Sequence, residues 1–268
     1  MSAGKVGTQE LNRGTYPGAA QPEIRIVHLG LGAFHRAHQA WYTAQANDGW
    51  GIAAFTGRSA TAATELAAQD GLFTLIRREA DGDTFEVIDS IVAAHDGADL
   101  ATLSTLLASP ATAIVTLTIT EAGYKMAPGT AEPSLNLADD QVHADLETLR
   151  SNYDGGLFAR SATDFAALKL STAAARLLVG LAARRSGDGW PLAIVSCDNL
   201  PGNGDVTRAA VLGFARDVDS ELAGWIEATV SFVNTSIDRI TPRTTADDRE
   251  TVATETGFAD VSPVVTEP

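Results

Sequence analysis

The sequence predicts an α/β protein of Rossmann type, a doubly wound and mainly parallel sheet with helices on both faces. Three observations carry this expectation. Short β-branched runs alternate with Ala- and Leu-rich stretches of helical character along most of the chain. The first such run, Ile24-Arg25-Ile26-Val27-His28-Leu29, feeds directly into Gly30-Leu31-Gly32, a strand entering a tight turn. The run Ile114-Val115-Thr116-Leu117-Thr118-Ile119 reads as a central strand buried on both faces.

The elements follow in order. Residues 1–23 hold Gly4, Gly7, Gly14, Gly18, Pro17 and Pro22 without an apolar period, which predicts a flexible lead-in to a domain spanning 24–268. After the first strand, Ala33 to Asn47 is helix-compatible and Gly49 stops it. Ile52 to Phe55 is a second strand, and Thr61 to Gln69 a short helix ended by Gly71. Strands are expected at Phe73 to Arg77 and Phe85 to Ile91, joined by the turn Asp81-Gly82-Asp83. Leu100 to Leu107 is helical up to Ser109-Pro110, and Ala127 to Asn136 is loop. A long helix is expected from Phe165 to Arg184, a strand at Leu192 to Ser196 and a polar loop from Cys197 to Gly204. Helices at Val206 to Arg216 and Leu222 to Glu227, then strands at Val230 to Val233 and Val264 to Thr266, complete the pattern.

Composition excludes several functions. Nineteen basic residues stand against 34 acidic ones, and the net charge of −15 repels phosphate backbones and anionic membrane surfaces. Nucleic acid and lipid are therefore poor partners. No run approaches 18 apolar residues, and Met1 to Val6 lacks an apolar signal core, so a cytoplasmic protein is expected. The single cysteine, Cys197, can form no internal disulfide and has no Cys/His cluster for zinc. His35 and His38 near the first helix have no carboxylate or cysteine at ligand spacing, so helix packing is preferred and no metal is expected. Tyr-x-x-x-Lys, G-x-S-x-G and G-x-x-x-x-G-K-[ST] patterns do not occur.

The first turn is where a doubly wound sheet binds a dinucleotide: a glycine for the bend, a second for close approach, then free N–H groups at a helix start. Gly30-Leu31-Gly32-Ala33-Phe34 fits in part, since His35 replaces the usual third glycine, and the segment is either a dinucleotide loop or a plain strand-to-helix turn. The second strand should end in an acid if it reads the ribose hydroxyls of NAD. Here it ends Thr56-Gly57-Arg58-Ser59, and the next acid is Glu65. Arg58 and Ser59 either engage a 2′-phosphate, which favours NADP, or Arg58 is a solvated surface arginine.

The stretch Ile26 to Ala40 resembles the cofactor loop of the polyol-specific long-chain dehydrogenases, which include mannitol 2-dehydrogenase, arabinitol dehydrogenase and the fructuronate and tagaturonate reductases. Three later blocks resemble that family in the same order: Thr118 to Tyr124, Ser196 to Gly204, and Asn234 to Pro242. The mannitol 2-dehydrogenase and fructuronate reductase branches look nearest. The resemblance implies an N-terminal Rossmann-type domain, a helical C-terminal domain, and metal-independent hydride transfer between NAD(P) and C2 of a sugar alcohol, or of the acid that corresponds to a keto-sugar acid. Taken with the reading of the second strand, the cofactor is expected at Gly30, Leu31, Gly32, Ala33, Phe34, Arg58, Ser59, Thr118 and Glu121.

The resemblance also implies that Asn199 donates to the reacting oxygen and that Asp238 holds a substrate hydroxyl. Read locally, the competing accounts are that Asn199 caps the turn before Pro201 and that Asp238 is a surface partner of Arg239, while Glu121 is a proton gate or a solvated side chain. The family's base is a lysine in a K-x-x-x-x-N-x-x-H block, and neither Lys125 nor Lys169 begins one. The chain accordingly reads as the cofactor half of such an enzyme, its helical domain absent. The alternative is a non-catalytic dinucleotide-binding or regulatory module.

Overall fold

A computed structural model describes residues 8–152 and 162–267; the first seven residues of the expected lead-in lie outside them. The strands are β1 (Gln9–Glu10), β2 (Glu23–Leu29), β3 (Trp50–Phe55), β4 (Phe73–Arg77), β5 (Thr84–Ile88), β6 (Ile91–His95), β7 (Ile114–Leu117), β8 (Leu192–Ser196), β9 (Val230–Val233), β10 (Phe258–Ala259) and β11 (Val264–Thr266). The helices are α1 (Ala33–His35), α2 (Trp41–Ala46), α3 (Thr61–Ala68), α4 (Leu100–Ala108), α5 (Asp140–Ser151), α6 (Ala173–Ser186), α7 (Asn203–Val218), α8 (Ser220–Thr229) and α9 (Ala246–Thr256).

The chain divides into two compact units. The first takes residues 8–24, Leu31–His95 and 238–267; the second takes Arg25–Gly30 and Asp96–Ile237. In the second, β2, β7, β8 and β9 lie side by side in that order and all run parallel. Val27, Val115 and Ile194 are fully buried along these strands, so their β-branched bias is repaid by packing. Helix α4 packs on α6, and α7 on α6, β8 and β9. In the first unit, β3 and β6 form a parallel pair. Hairpin β4–β5 is antiparallel, with β11 added to it in parallel. The short β1 pairs with β10, and Arg13 donates to the carbonyls of Asp70, Asp89 and Ile91, which anchors residues 8–22.

Several element boundaries differ from expectation, each for a local reason. The strand expected over Phe85–Ile91 breaks at Asp89–Ser90 into β5 and β6, and β6 is held as a strand by pairing with β3. The central strand stops at Leu117, because its partner β2 ends opposite it at Leu29 and the chain bends away at Gly30. The helix expected from Phe165 begins only at Ala173. Asp145 accepts from the backbone of Ser171 and Thr172 and from the Thr172 hydroxyl, which in turn caps Ala175 N–H and fixes the start. The helix expected over Ala33–Asn47 is interrupted by a π-helical stretch at Arg36–Ala40. Helices α5 and α9 were not anticipated; Asp139 caps the first and a Thr245/Asp248 capping box starts the second.

Candidate functional site

The turn after β2 is held from several sides. Gly30 has φ +106°, and a Cβ there would lie 2.1 Å from the carbonyl oxygen of Thr118, so only glycine fits. The Thr118 hydroxyl donates to Gly30 O at 2.9 Å, and Leu31 N–H donates to Phe55 O at 2.9 Å. Thr118, expected at the cofactor, here holds the turn's own carbonyl. Gly32 is extended (φ −155°) and opens the helix at Ala33, where the first N–H groups lack partners inside the helix.

Arg36 braces the same segment. Its guanidinium donates to Gly32 O at 3.3 Å and to Ser262 Oγ at 2.9 Å, also reaches Ser262 O, and lies 5.5 Å from the Phe73 ring centre. Burial lowers its pKa to about 10, so it stays charged at neutral pH. His35 is buried and bonded to Gln39 Oε1 at 3.2 Å, a packing role. Phe34 stacks on His38 with ring centres 5.8 Å apart.

Beyond β3, Arg58 and Ser59 are exposed. The Ser59 hydroxyl lies 2.8 Å from that of Thr61 and accepts from Thr61 N–H, dressing the start of α3. Arg58 has no hydrogen-bond or ionic partner among the described residues. Glu65, the first acid after the strand, accepts from Ser262 Oγ at 3.4 Å and faces the Arg36 charge, so it is engaged internally.

In the second unit, Glu121 is exposed on a 3-10 turn, Glu121–Tyr124. That turn ends in Tyr124, which is buried and donates to Asp198 Oδ2. The next residue, Asn199, is exposed and has no side-chain partner among the described residues. The capping expected of Asn199 falls to Asn203 instead: its Nδ2 donates to Asp198 O at 2.9 Å and its Oδ1 accepts from Thr235 N–H at 2.9 Å. Asn234 Oδ1 accepts from Gly204 and Asp205 N–H, at 2.8 and 3.1 Å, which closes the start of α7.

Asp238, in the first unit, is exposed and makes no ion pair with Arg239. Arg239 instead donates to Ala37 O at 2.6 Å and stacks 5.0 Å from the Trp41 ring centre. Among the described residues no group of three His, Cys, Asp or Glu is placed to hold a metal, and no helix is long and apolar enough to cross a membrane. Sequence reasoning missed His28, Arg36, Tyr124 and Asp198, although each stands within one of the four blocks singled out above.

Parallel strands alternating with helices, and a glycine turn between the first strand and the first helix, define a Rossmann-type α/β domain. A family model for the mannitol dehydrogenase Rossmann domain matches residues 24–268. The chain belongs to that family. It is 40% identical over 252 residues to mannitol 2-dehydrogenase of Cereibacter sphaeroides, covering 91% of this chain and 48% of that protein. It is 37% identical over 254 residues to mannitol 2-dehydrogenase of Pyrenophora tritici-repentis, covering 91% and 41%. Among solved structures, Pseudomonas fluorescens mannitol 2-dehydrogenase, a ternary complex with NAD and D-mannitol, superposes with TM-score 0.81 at 37% identity, covering 97% of this chain and 53% of that one. The chain spans about half the length of the relatives it matches.

Proposed function

We propose that this chain is the nucleotide-binding half of an NAD(P)-dependent dehydrogenase that interconverts a sugar alcohol, or the corresponding acid, with its keto partner. The observation that carries the reading is the Gly30 turn, whose left-handed glycine and braced backbone suit a pyrophosphate at a helix start. The similar Pseudomonas fluorescens enzyme, described with NAD and D-mannitol, supports the choice of ligand. A bound nicotinamide dinucleotide would supply the hydride chemistry. Gly30, Leu31, Gly32, Ala33 and Phe34 would hold its phosphates, Thr118 would hold the Gly30 carbonyl that shapes the turn, and Glu121 would serve the nicotinamide.

Asn199 would donate its amide N–H to the reacting oxygen, and Asp238 would accept from a substrate hydroxyl. Their exposure and lack of side-chain partners among the described residues suit side chains reserved for a ligand. The general base would come from outside this chain, in the half of the relatives that it does not match. Exposed Arg58, with no acid free at the end of β3, supports acceptance of NADP as well as NAD. A cytoplasmic role in carbohydrate metabolism follows from the same reading.

The test is titration with NADH and NADPH, on the unsubstituted chain and on Arg58→Asp, with turnover measured on mannitol, fructose and fructuronate. Both dinucleotides should bind, and Arg58→Asp should shift preference toward NADH by about tenfold, the value of one charge-assisted contact. The chain alone should show no turnover, whereas fusion to the second half of a relative should restore it. Failure to bind either dinucleotide would refute the reading.

A further inference from the structure

We infer that His28 is a positioning residue for the cofactor turn: a neutral imidazole in its Nε2–H form that, directly and through Thr118, fixes the orientation of the Gly30–Leu31 peptide. This deepens the functional reading and rests on Gly30 to Phe34 being the dinucleotide turn. His28 is 0% exposed and stands two residues before Gly30 in β2. Its Nδ1 lies 2.8 Å from Thr116 Oγ1 and its Nε2 3.1 Å from Thr118 Oγ1.

The proton positions follow by elimination. A carbonyl only accepts, so the single hydroxyl proton of Thr118 goes to Gly30 O. Thr118 Oγ1 must then accept at its other contact, which places a proton on His28 Nε2. Burial pushes the His28 pKa down to about 3, so the ring carries no second proton and Nδ1 accepts from the Thr116 hydroxyl. Donation therefore runs one way, Thr116 to His28, His28 to Thr118 and Thr118 to Gly30 O, and the ring also hydrogen-bonds the Gly30 backbone directly.

The far side of the same peptide is also tied, since Leu31 N–H donates to Phe55 O at 2.9 Å. A planar peptide gripped at both its C=O and its N–H cannot rotate. That grip counts most at a glycine. Gly30 reaches φ +106° because it lacks a Cβ, and for the same reason it would sample many other angles. His28 and Thr118 remove that freedom before a ligand arrives, so binding need not supply the ordering.

The test uses the full chain, with NADH titration, amide hydrogen exchange and ring-nitrogen NMR. His28→Leu removes the donor and should weaken NADH binding about tenfold, the loss of one buried hydrogen bond. It should also speed exchange at the Leu31 amide. His28→Gln, whose Nε2 can still donate to Thr118, should recover binding to within about threefold of the unsubstituted chain. Thr118→Val should weaken binding like His28→Leu, and the double variant should lose less than the sum of the two single losses, because both hold the same carbonyl. The ring nitrogens of His28 should report the neutral Nε2–H form at neutral pH.

A protonated or Nδ1–H imidazole would overturn the assignment, and so would unchanged Leu31 exchange or a Gln variant as weak as Leu. Should His28→Leu not fold, the tautomer in the unsubstituted chain and the Thr118→Val and His28→Gln arms still decide. If the unsubstituted chain binds neither dinucleotide, the functional reading fails, whereas the tautomer and Leu31 exchange judge His28 independently of binding.

Discussion

The phenol of Tyr124 donates to Oδ2 of Asp198, and that one bond joins the turn bearing Glu121 to the turn bearing Asn199. Both partners are buried, at 2% and 9% exposure. Burial, then the Asp198 carboxylate, pushes the Tyr124 phenol far above its usual range, so it is always a donor at neutral pH. Burial also raises the Asp198 pKa, while the Tyr124 hydroxyl and neighbouring N–H groups pull it back. The pair is thus a desolvated carboxylate that depends on its donors.

Tyr124→Phe should cost about 1–3 kcal/mol, because a buried acceptor loses its partner. The sign of the pH dependence follows from Asp198. Its folded pKa is raised, so the folded chain favours the protonated acid and loses stability as pH climbs through the carboxylate range. Without the phenol that rise is steeper still. The penalty of Tyr124→Phe should therefore be larger at about pH 8 than at about pH 5 in urea unfolding. A penalty that shrinks with pH would mean that the bond does not serve the ionised form.

Gly30→Ala should lower stability by more than about 2 kcal/mol, since left-handed strain adds to a collision with the Thr118 carbonyl. Gly32→Ala provides the contrast. Its extended backbone accepts a Cβ, so stability should change by no more than about 1 kcal/mol. Denaturant curves for the two variants, followed by NADH titration of each, separate a glycine needed by the fold from one needed by a ligand. Equal stability losses would contradict this division.

Arg184 is 1% exposed and has no carboxylate beside it among the described residues. Its guanidinium instead donates to five carbonyls: Leu107, Ser109, Thr112, Trp190 and Pro191. Arg184→Met should cost about 3 kcal/mol or more, because several buried acceptors are left unpaired at once. Arg184→Lys should recover little, as an ammonium cannot reproduce the planar fork. Thermal unfolding of the two variants decides; a lysine variant matching the unsubstituted chain would show that charge alone suffices.

Elements with strong local chemistry were legible in the sequence. The run Ile24 to Leu29 met Gly30 where it had to bend, and Leu192–Ser196 and Val230–Val233 kept their expected bounds as β8 and β9. Polar helices were not legible by periodicity: α9 buries only Asp248 and Val252, so no apolar stripe announces it, although its Thr245 cap does. Strand β6 was hidden because Ala93 and Ala94 have weak strand character and their pairing with Ala53 and Ala54 is distant in sequence. Gly30 could be found from its neighbours. The reach of Thr118 and His28 to it could not, because those contacts span 88 to 90 residues and exist only once β2 and β7 are side by side.

The brace between Arg36 and Ser262 has a consequence for how the chain is made, because its ends lie 226 residues apart. At ribosomal speeds of about 5–20 residues per second, Arg36 waits about 10–50 s for the carbonyl that receives it. The partner strands of β1 and β4, β10 and β11, emerge just as late. Meanwhile β7, β8 and β9 are synthesised in succession and pair in that order. Arg36 and strand β1, though among the first segments made, thus reach these particular native contacts only when the last strands emerge.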